Sequence, residues 1–203
     1  MPTRTTGVAA ALLERPSIDS VTRVEDSDLV AAALAGNADA FGTLVERYDR
    51  AVYHLAFRTM RDAEEARDVT QEAFFKAFRS LRTFKAGSKF STWIFSIAYH
   101  ACCDRLACRK RYSNEEFPER ADGGPGPEQA AIAADEAQRL RAAIAALPEK
   151  YRTVITLYHL QQKQYDEIAT VLELPMGTVK THLYRAKEQL RRALREGAME
   201  SPQ

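Results

Sequence analysis

Cysteine is scarce, with three in 203 residues, too few for a disulfide framework. Cys102, Cys103 and Cys108 follow His100 as His-x-Cys-Cys-x4-Cys. That spacing lacks the second cysteine pair of a structural zinc site. Neighbouring cysteines on a helix also point about 100° apart. Small buried hydrophobes are the expected role, and a metal- or thiol-dependent enzyme is the alternative. Long apolar runs are missing too, and none approaches the ~20 residues of a membrane span. The patch from Val8 to Leu13 is short for a signal peptide and runs into charges. The expectation is no membrane insertion and a cytoplasmic location, where thiols stay reduced. Net charge is nearly absent at +1, so the signal lies in where the charges fall. No His, Ser nucleophile or Gly-rich phosphate loop stands near the acidic residues of 64–72, which argues against acid-base catalysis. The expectation is no catalytic residue, no metal and no cofactor.

The most informative stretch is Tyr165 to Leu194. Tyr165, Ile168, Ala169 and Leu172 recur at the spacing of one helical face. Pro175 cannot continue that helix but suits the start of another. The next helix places Val179, Leu183, Ala186, Leu190 and Leu194 inward. Lys180, Thr181, His182, Tyr184, Arg185 and Lys187 face outward. Met176 to Arg195 holds six basic residues and one acid, Glu188. A short helix, a corner and a basic helix with polar side chains near its start read as a helix-turn-helix over 165–187, the second helix entering a major groove. The plain alternative is a helical hairpin with a solvated basic face.

Upstream, residues 1–25 read as a disordered extension. Asp26 to Arg61 reads as a helical pair broken at Gly36-Asn37. Asp62 to Phe84 follows, with a stripe of Ala66, Val69, Ala73, Phe74, Ala77, Phe78 and Leu81. Its other face carries Glu64, Glu65, Asp68, Gln71, Glu72 and Phe75. Phe75 falls off the stripe and should be exposed. This face reads equally as a docking surface or as a solvated acidic face. After a loop at 85–89, Phe90 to Arg111 forms a long helix, aromatic at its start and basic at its end with Arg105, Arg109, Lys110 and Arg111. Rings beside cations suit single-stranded nucleic acid; a core helix whose basic end complements its dipole is the alternative. Residues 113–135 are acidic and hold Gly123-Gly124-Pro125-Gly126-Pro127, which reads as a flexible linker. The fold class is all-α, two small helical domains over 26–112 and 136–196, with a tail at 197–203.

Four motifs carry a family resemblance: DAEEARDVTQEAFFKAF, FSTWIFSIAYHACCDRL, ALPEKYRTVITLYHL and YDEIATVLELPMGTVKTHLYRAKEQL. In this combination the chain resembles the sigma-70 family of bacterial RNA polymerase initiation factors, in its small extracytoplasmic-function (ECF) group, from about Asp26 to Leu194. The resemblance implies core RNA polymerase, through its beta and beta-prime subunits, promoter DNA and an anti-sigma factor as partners. It implies transcription of a stress-related regulon. It settles the open reading of the acidic face in favour of docking on polymerase, through Glu65, Asp68, Gln71, Glu72 and Phe75. It assigns the −10 element to Phe84, Lys89, Trp93, His100, Arg105, Arg109 and Lys110. The −35 element falls to Lys180, Thr181, His182, Tyr184, Arg185 and Lys187. The linker would thread the polymerase cleft near the RNA path.

Three positions depart from the family pattern. His100 stands where Asn is usual. Lys180-Thr181-His182 replaces Lys/Arg-Ser-Arg. Glu173 replaces a corner Gly, which leads us to expect a corner without positive φ. A free-standing helix-turn-helix regulator remains the alternative function; such proteins usually dimerise, and no heptad seam is visible.

Overall fold

A computed structural model describes residues 24–85, 87–112 and 130–199. The expected N-terminal extension, apart from its last two residues, and most of the expected linker lie outside them. The described residues form helices only. In chain order these are α1 Asp26–Leu34, α2 Ala38–Met60, α3 Ala63–Ser80, α4 Phe90–Tyr112, α5 Ala130–Ala146, α6 Glu149–Ile155, α7 Tyr165–Leu172 and α8 Met176–Met199. A 3₁₀ turn at Leu81–Thr83 ends α3, and a wider π turn at Thr156–Leu160 extends α6.

Local chemistry sets the boundaries. The Asn37 side chain accepts from the backbone of Asp39 at 3.1 Å and starts α2. Asp62 does the same for Glu64 at 2.9 Å and Glu65 at 3.0 Å and starts α3. Short polar side chains satisfy the donors that a helix start leaves unpaired. The Pro175 carbonyl accepts from Thr178 and Val179 and opens α8. The corner before it differs from expectation: Glu173 adopts φ 52° and ψ 41°. A left-handed residue with a Cβ costs about 1–2 kcal/mol. The backbone N–H of Leu174 closing on Ala169 at 3.0 Å requires that turn, so geometry overrides residue preference.

Helices α1 to α4 pack into one unit around α2, with Leu44, Val52, Leu55, Phe74, Ile94 and Phe95 in its centre. The α3 stripe is buried as expected except at Phe78, which is 53% exposed and meets Phe41 edge-on at 5.1 Å. It lies at the edge of the stripe, since Ala77 before it and Leu81 after it stay buried. Helices α5 to α8 make a second unit with Ile144, Val154, Ile168, Val179 and Leu183 inside. Leu194 is only half-buried.

The two units do not stand apart. Their apolar residues form one continuous cluster, with α7 against α4 and α6 against α2. Arg152, 6% exposed, is the tie on one side. Its guanidinium donates to the carbonyls of Arg58 in α2 at 2.7 Å, Ala145 at 3.0 Å and Leu147 at 2.8 Å. Gln161 adds a bond to the Ala51 carbonyl at 3.2 Å.

Arg152→Met should keep most of the buried volume and strand three carbonyls. Hydrogen bonds to a charged group contribute ~1.5–3 kcal/mol each, with partial relief by water. The expected loss is about 3 kcal/mol in urea unfolding, against wild-type stability for Arg67→Met, at an exposed position of α3. Equal losses for the two would remove Arg152 as a structural tie.

Candidate nucleic-acid and polymerase interface

Three surfaces carry the residues singled out by sequence. The first is the acidic face of α3. Glu65, Asp68, Glu72 and Phe75 recur every three or four positions, so one side of a helix presents them. Phe75 is 61% exposed, with the Arg79 guanidinium 5.5 Å above its ring. Gln71 is exposed nearby. Arg105 reaches across from α4 and donates to Glu65 at 2.6 Å and Asp68 at 2.7 Å, with Glu72 at 3.9 Å. Arg105 thus neutralises the acidic face rather than joining the other basic residues of α4. An open groove beside this face runs between α3 and α4, lined by Glu72, Phe75, Ile97 and His100 among others.

The second surface lies at the start of α4. Phe84, Phe90 and Trp93 form an aromatic cluster, with Trp93 5.3 Å from Phe84 and 5.8 Å from Phe90. The loop before α4 turns at Gly87, whose φ of 90° suits glycine. It sets Lys89 beside the cluster, where the Trp93 N–H bonds the Lys89 carbonyl at 3.2 Å. His100 lies two turns along, with Nδ1 3.4 Å from Ser96 Oγ. Arg109 and Lys110 are remote from this cluster, at the far end of α4.

The second unit reaches this surface through two carboxylates, although Lys89 keeps 68% of its side chain exposed. The Glu167 carboxylate, on a residue 9% exposed, receives Lys89 at 3.2 Å and Thr92 Oγ1 at 3.1 Å. It also caps its own helix, accepting from the Gln164 N–H at 2.7 Å. Lys163, 5% exposed, lies 3.8 Å from Glu167, bonds Ser91 and sits 5.2 Å over the Phe95 ring. Burial pushes the Glu167 carboxyl up, but the Gln164 N–H, Lys163 and Lys89 outweigh it and hold the group below the usual carboxylate range. Burial lowers Lys163 from the ordinary lysine range, opposed by Glu167. At the far end, His100 Nε2 lies 3.3 Å from Glu173.

The third surface is the outer side of α8. Val179, Leu183, Ala186 and Leu190 are buried. Lys180, Thr181 and Arg185 are exposed, and Tyr184 is 65% exposed. Two expected members turn aside. His182 packs its ring 5.5 Å from Tyr151, and Lys187 lies over Tyr158 at 4.9 Å.

Sequence reasoning missed Glu167, Lys163, Arg152 and Tyr151. Only Glu167 had a visible signal, the reciprocal spacing Gln164-x-x-Glu167 at a helix start. For the cysteines, Cys102 is buried, Cys103 half-buried and Cys108 exposed. Burial pushes the Cys102 thiol up to about 12, which keeps it inert at neutral pH.

Comparison with known proteins identifies both helical units. The family model for Sigma-70 region 2 matches residues 44–112, and that for Sigma-70 region 4 matches residues 137–190. The ECF RNA polymerase sigma factor SigW of Bacillus subtilis is 34% identical, over 79% of this chain and 92% of its own. The RNA polymerase sigma-H factor of Pseudomonas aeruginosa is 35% identical, over 86% and 96%. Among solved structures, CnrH in complex with the cytosolic domain of CnrY superposes with a TM-score of 0.62 at 25% identity, over 87% of this chain and 99% of that one. The sigma factor RpoE of Bartonella quintana, in complex with the anti-sigma factor NepR, gives 0.66 at 22% identity, over 76% and 96%, and shows the shared fold. With both regions present in order and relatives aligned over nearly their whole length, the chain belongs to the sigma-70 family of RNA polymerase sigma factors, in its ECF group.

Proposed function

We propose that this ECF sigma factor divides promoter recognition between its three surfaces. Region 2 spans 26–112 and region 4 spans 136–196. The acidic face of α3 docks on core polymerase, with Phe75 as its apolar anchor. The cluster of Phe84, Lys89, Trp93 and His100 holds an unstacked base of the −10 element. The outer side of α8 reads the −35 duplex through Lys180, Thr181, Tyr184 and Arg185. The observation that carries the reading is α8 itself, whose apolar side is locked into the core while its basic side stays open to solvent. Side chains on such a helix meet phosphates and base edges together.

The work is done by binding. Extracting a base from a duplex costs a few kcal/mol, and stacking on an aromatic face returns ~1–3 kcal/mol per base. Polymerase supplies the chemistry. The linker at 113–135 threads the polymerase cleft, and the protein acts in the cytoplasm beside polymerase. The contacts of Glu167 and Glu173 on Lys89 and His100 support a further part of this reading: the packed arrangement is the idle form, and its units separate on polymerase. An anti-sigma factor, as bound to the similar RpoE, would act by holding this form.

Reconstitution with core polymerase and mapping of transcript starts tests the whole. Phe75→Ala should weaken core binding about tenfold or more, as loss of an aromatic anchor does. It is the cleanest variant, because reversing Asp68 or Glu72 would also set a new cation against Arg105. Unchanged affinity in equilibrium binding to core enzyme would take docking away from α3.

Trp93→Ala should lower open-complex formation about tenfold, in line with one lost base stack, and leave −35 duplex binding as it was. Wild-type melting in a permanganate footprint would remove Trp93 from the −10 surface.

A further inference from the structure

On one side of α8 three nitrogen side chains gather around a single phenol. Tyr151, in the first turns of α6, is buried with its ring against α8. Lys150 Nζ lies 5.2 Å over that ring. Arg185 Nη1 donates to the Tyr151 hydroxyl at 3.5 Å. The His182 ring meets Tyr151 edge-on. Lys150 and Arg185 are exposed, and neither forms an ion pair with a carboxylate among the described residues. Glu188, one turn along α8 from Arg185, is the acid within electrostatic range. Two cations converging without a carboxylate leave a site complementary to an anion. Both cations stay exposed while the two units are packed together.

His182 fixes the chemistry of the site further. Its Nδ1 is shut off from solvent without a hydrogen-bond partner. A neutral imidazole has one donor and one acceptor nitrogen, whereas the imidazolium has two donors. A proton on the enclosed Nδ1 would find no acceptor, so the ring carries its single proton on Nε2. Burial, then Lys150 and Arg185, hold the group below the ordinary histidine range.

We propose that Lys150, His182 and Arg185 form a clamp for one phosphate of the DNA backbone, in which Lys150 and Arg185 supply charge and His182 donates a hydrogen bond from Nε2 while remaining neutral. Tyr151 is the positioning residue, its ring and hydroxyl holding all three. The clamp deepens the −35 reading of α8 and rests on it. It adds an anchor from α6, outside the helix-turn-helix, and it gives a role to His182 at a position where the family commonly has Arg.

The test uses the full chain and a random-sequence B-DNA duplex of about three helical turns, because a phosphate clamp ignores base sequence. Binding is followed by fluorescence anisotropy across a salt series. Each cationic phosphate contact contributes about 0.9 to the slope of log K against log salt. Lys150→Gln should lower the slope by about 1; Arg50→Gln, an exposed cation on α2, should not. His182→Leu should weaken binding several-fold with the slope unchanged, since a neutral donor releases no counterion. His182→Gln should restore most of the loss through its amide N–H. All of these should hold between about pH 5.5 and about pH 8, either side of the ordinary histidine titration. The clamp is overturned if Lys150→Gln keeps the wild-type slope or if both His182 variants bind as wild type. It is also overturned if wild-type binding tightens on acidification and His182→Leu does not follow, which would mean an imidazolium. Lys180→Ala separates this failure from that of the −35 reading. A lowered slope for Lys180→Ala alone sinks the clamp, and no change for either lysine sinks both.

Discussion

The arrangement of the molecule depends on the buried carboxylate of Glu167. It caps α7, takes a proton donor from Thr92, and stands between Lys89 and Lys163. A buried charge is tolerated only when its hydrogen-bonding capacity is met. Here half of the partners come from the other unit, so the helix-turn-helix and the start of α4 satisfy each other. Removing one member of such a group leaves an uncompensated charge, which costs ~3–5 kcal/mol. The two units are thereby held in one register, with Arg152 and Gln161 fixing the opposite side through backbone carbonyls.

This register has an asymmetric consequence. The side of α8 that carries Lys180, Tyr184 and Arg185 stays open, while Lys89 and His100 at the start of α4 are engaged by Glu167 and Glu173. In the proposed reading the face for duplex is open in the free chain, whereas two members of the −10 surface, Lys89 and His100, already have carboxylate partners. On that reading polymerase would shift the balance by binding the separated form more tightly. The acidic face of α3, proposed to dock on polymerase, remains accessible in the packed form, with Phe75 exposed.

Much of this could be read from the residues. Helix starts were legible at Asn37, Asp62 and Pro175 because local side-chain and backbone chemistry decides them. The α8 face was legible because its apolar period is strict. Phe78 was misplaced because a stripe does not reveal its own width: Ala77 and Leu81 on either side of Phe78 are buried while its ring lies at the edge. The left-handed Glu173 was missed because a backbone bond to Ala169 demands that conformation whatever the side chain. The packing of the units was illegible for a different reason. It rests on Arg152 reaching carbonyls and on Lys163 and Glu167 buried together, and long-range polar pairs leave no period in a sequence. Arg105 was grouped with Arg109 and Lys110 by adjacency, whereas the turn of the helix sends it to Glu65 and Asp68.

The central claim is that Glu167 holds the two units of the free chain together beside the proposed −10 surface. Single-molecule energy transfer tests it directly, with dyes on Thr43→Cys in α2 and Glu188→Cys in α8, in a background of Cys103→Ser and Cys108→Ser. The free chain should show one high-transfer population. Core polymerase should convert it to a low-transfer population, and Glu167→Ala should move the free chain toward the same state with its helical content retained. A free Glu167→Ala chain indistinguishable from wild type, or a core-bound chain with unchanged transfer, would contradict the account.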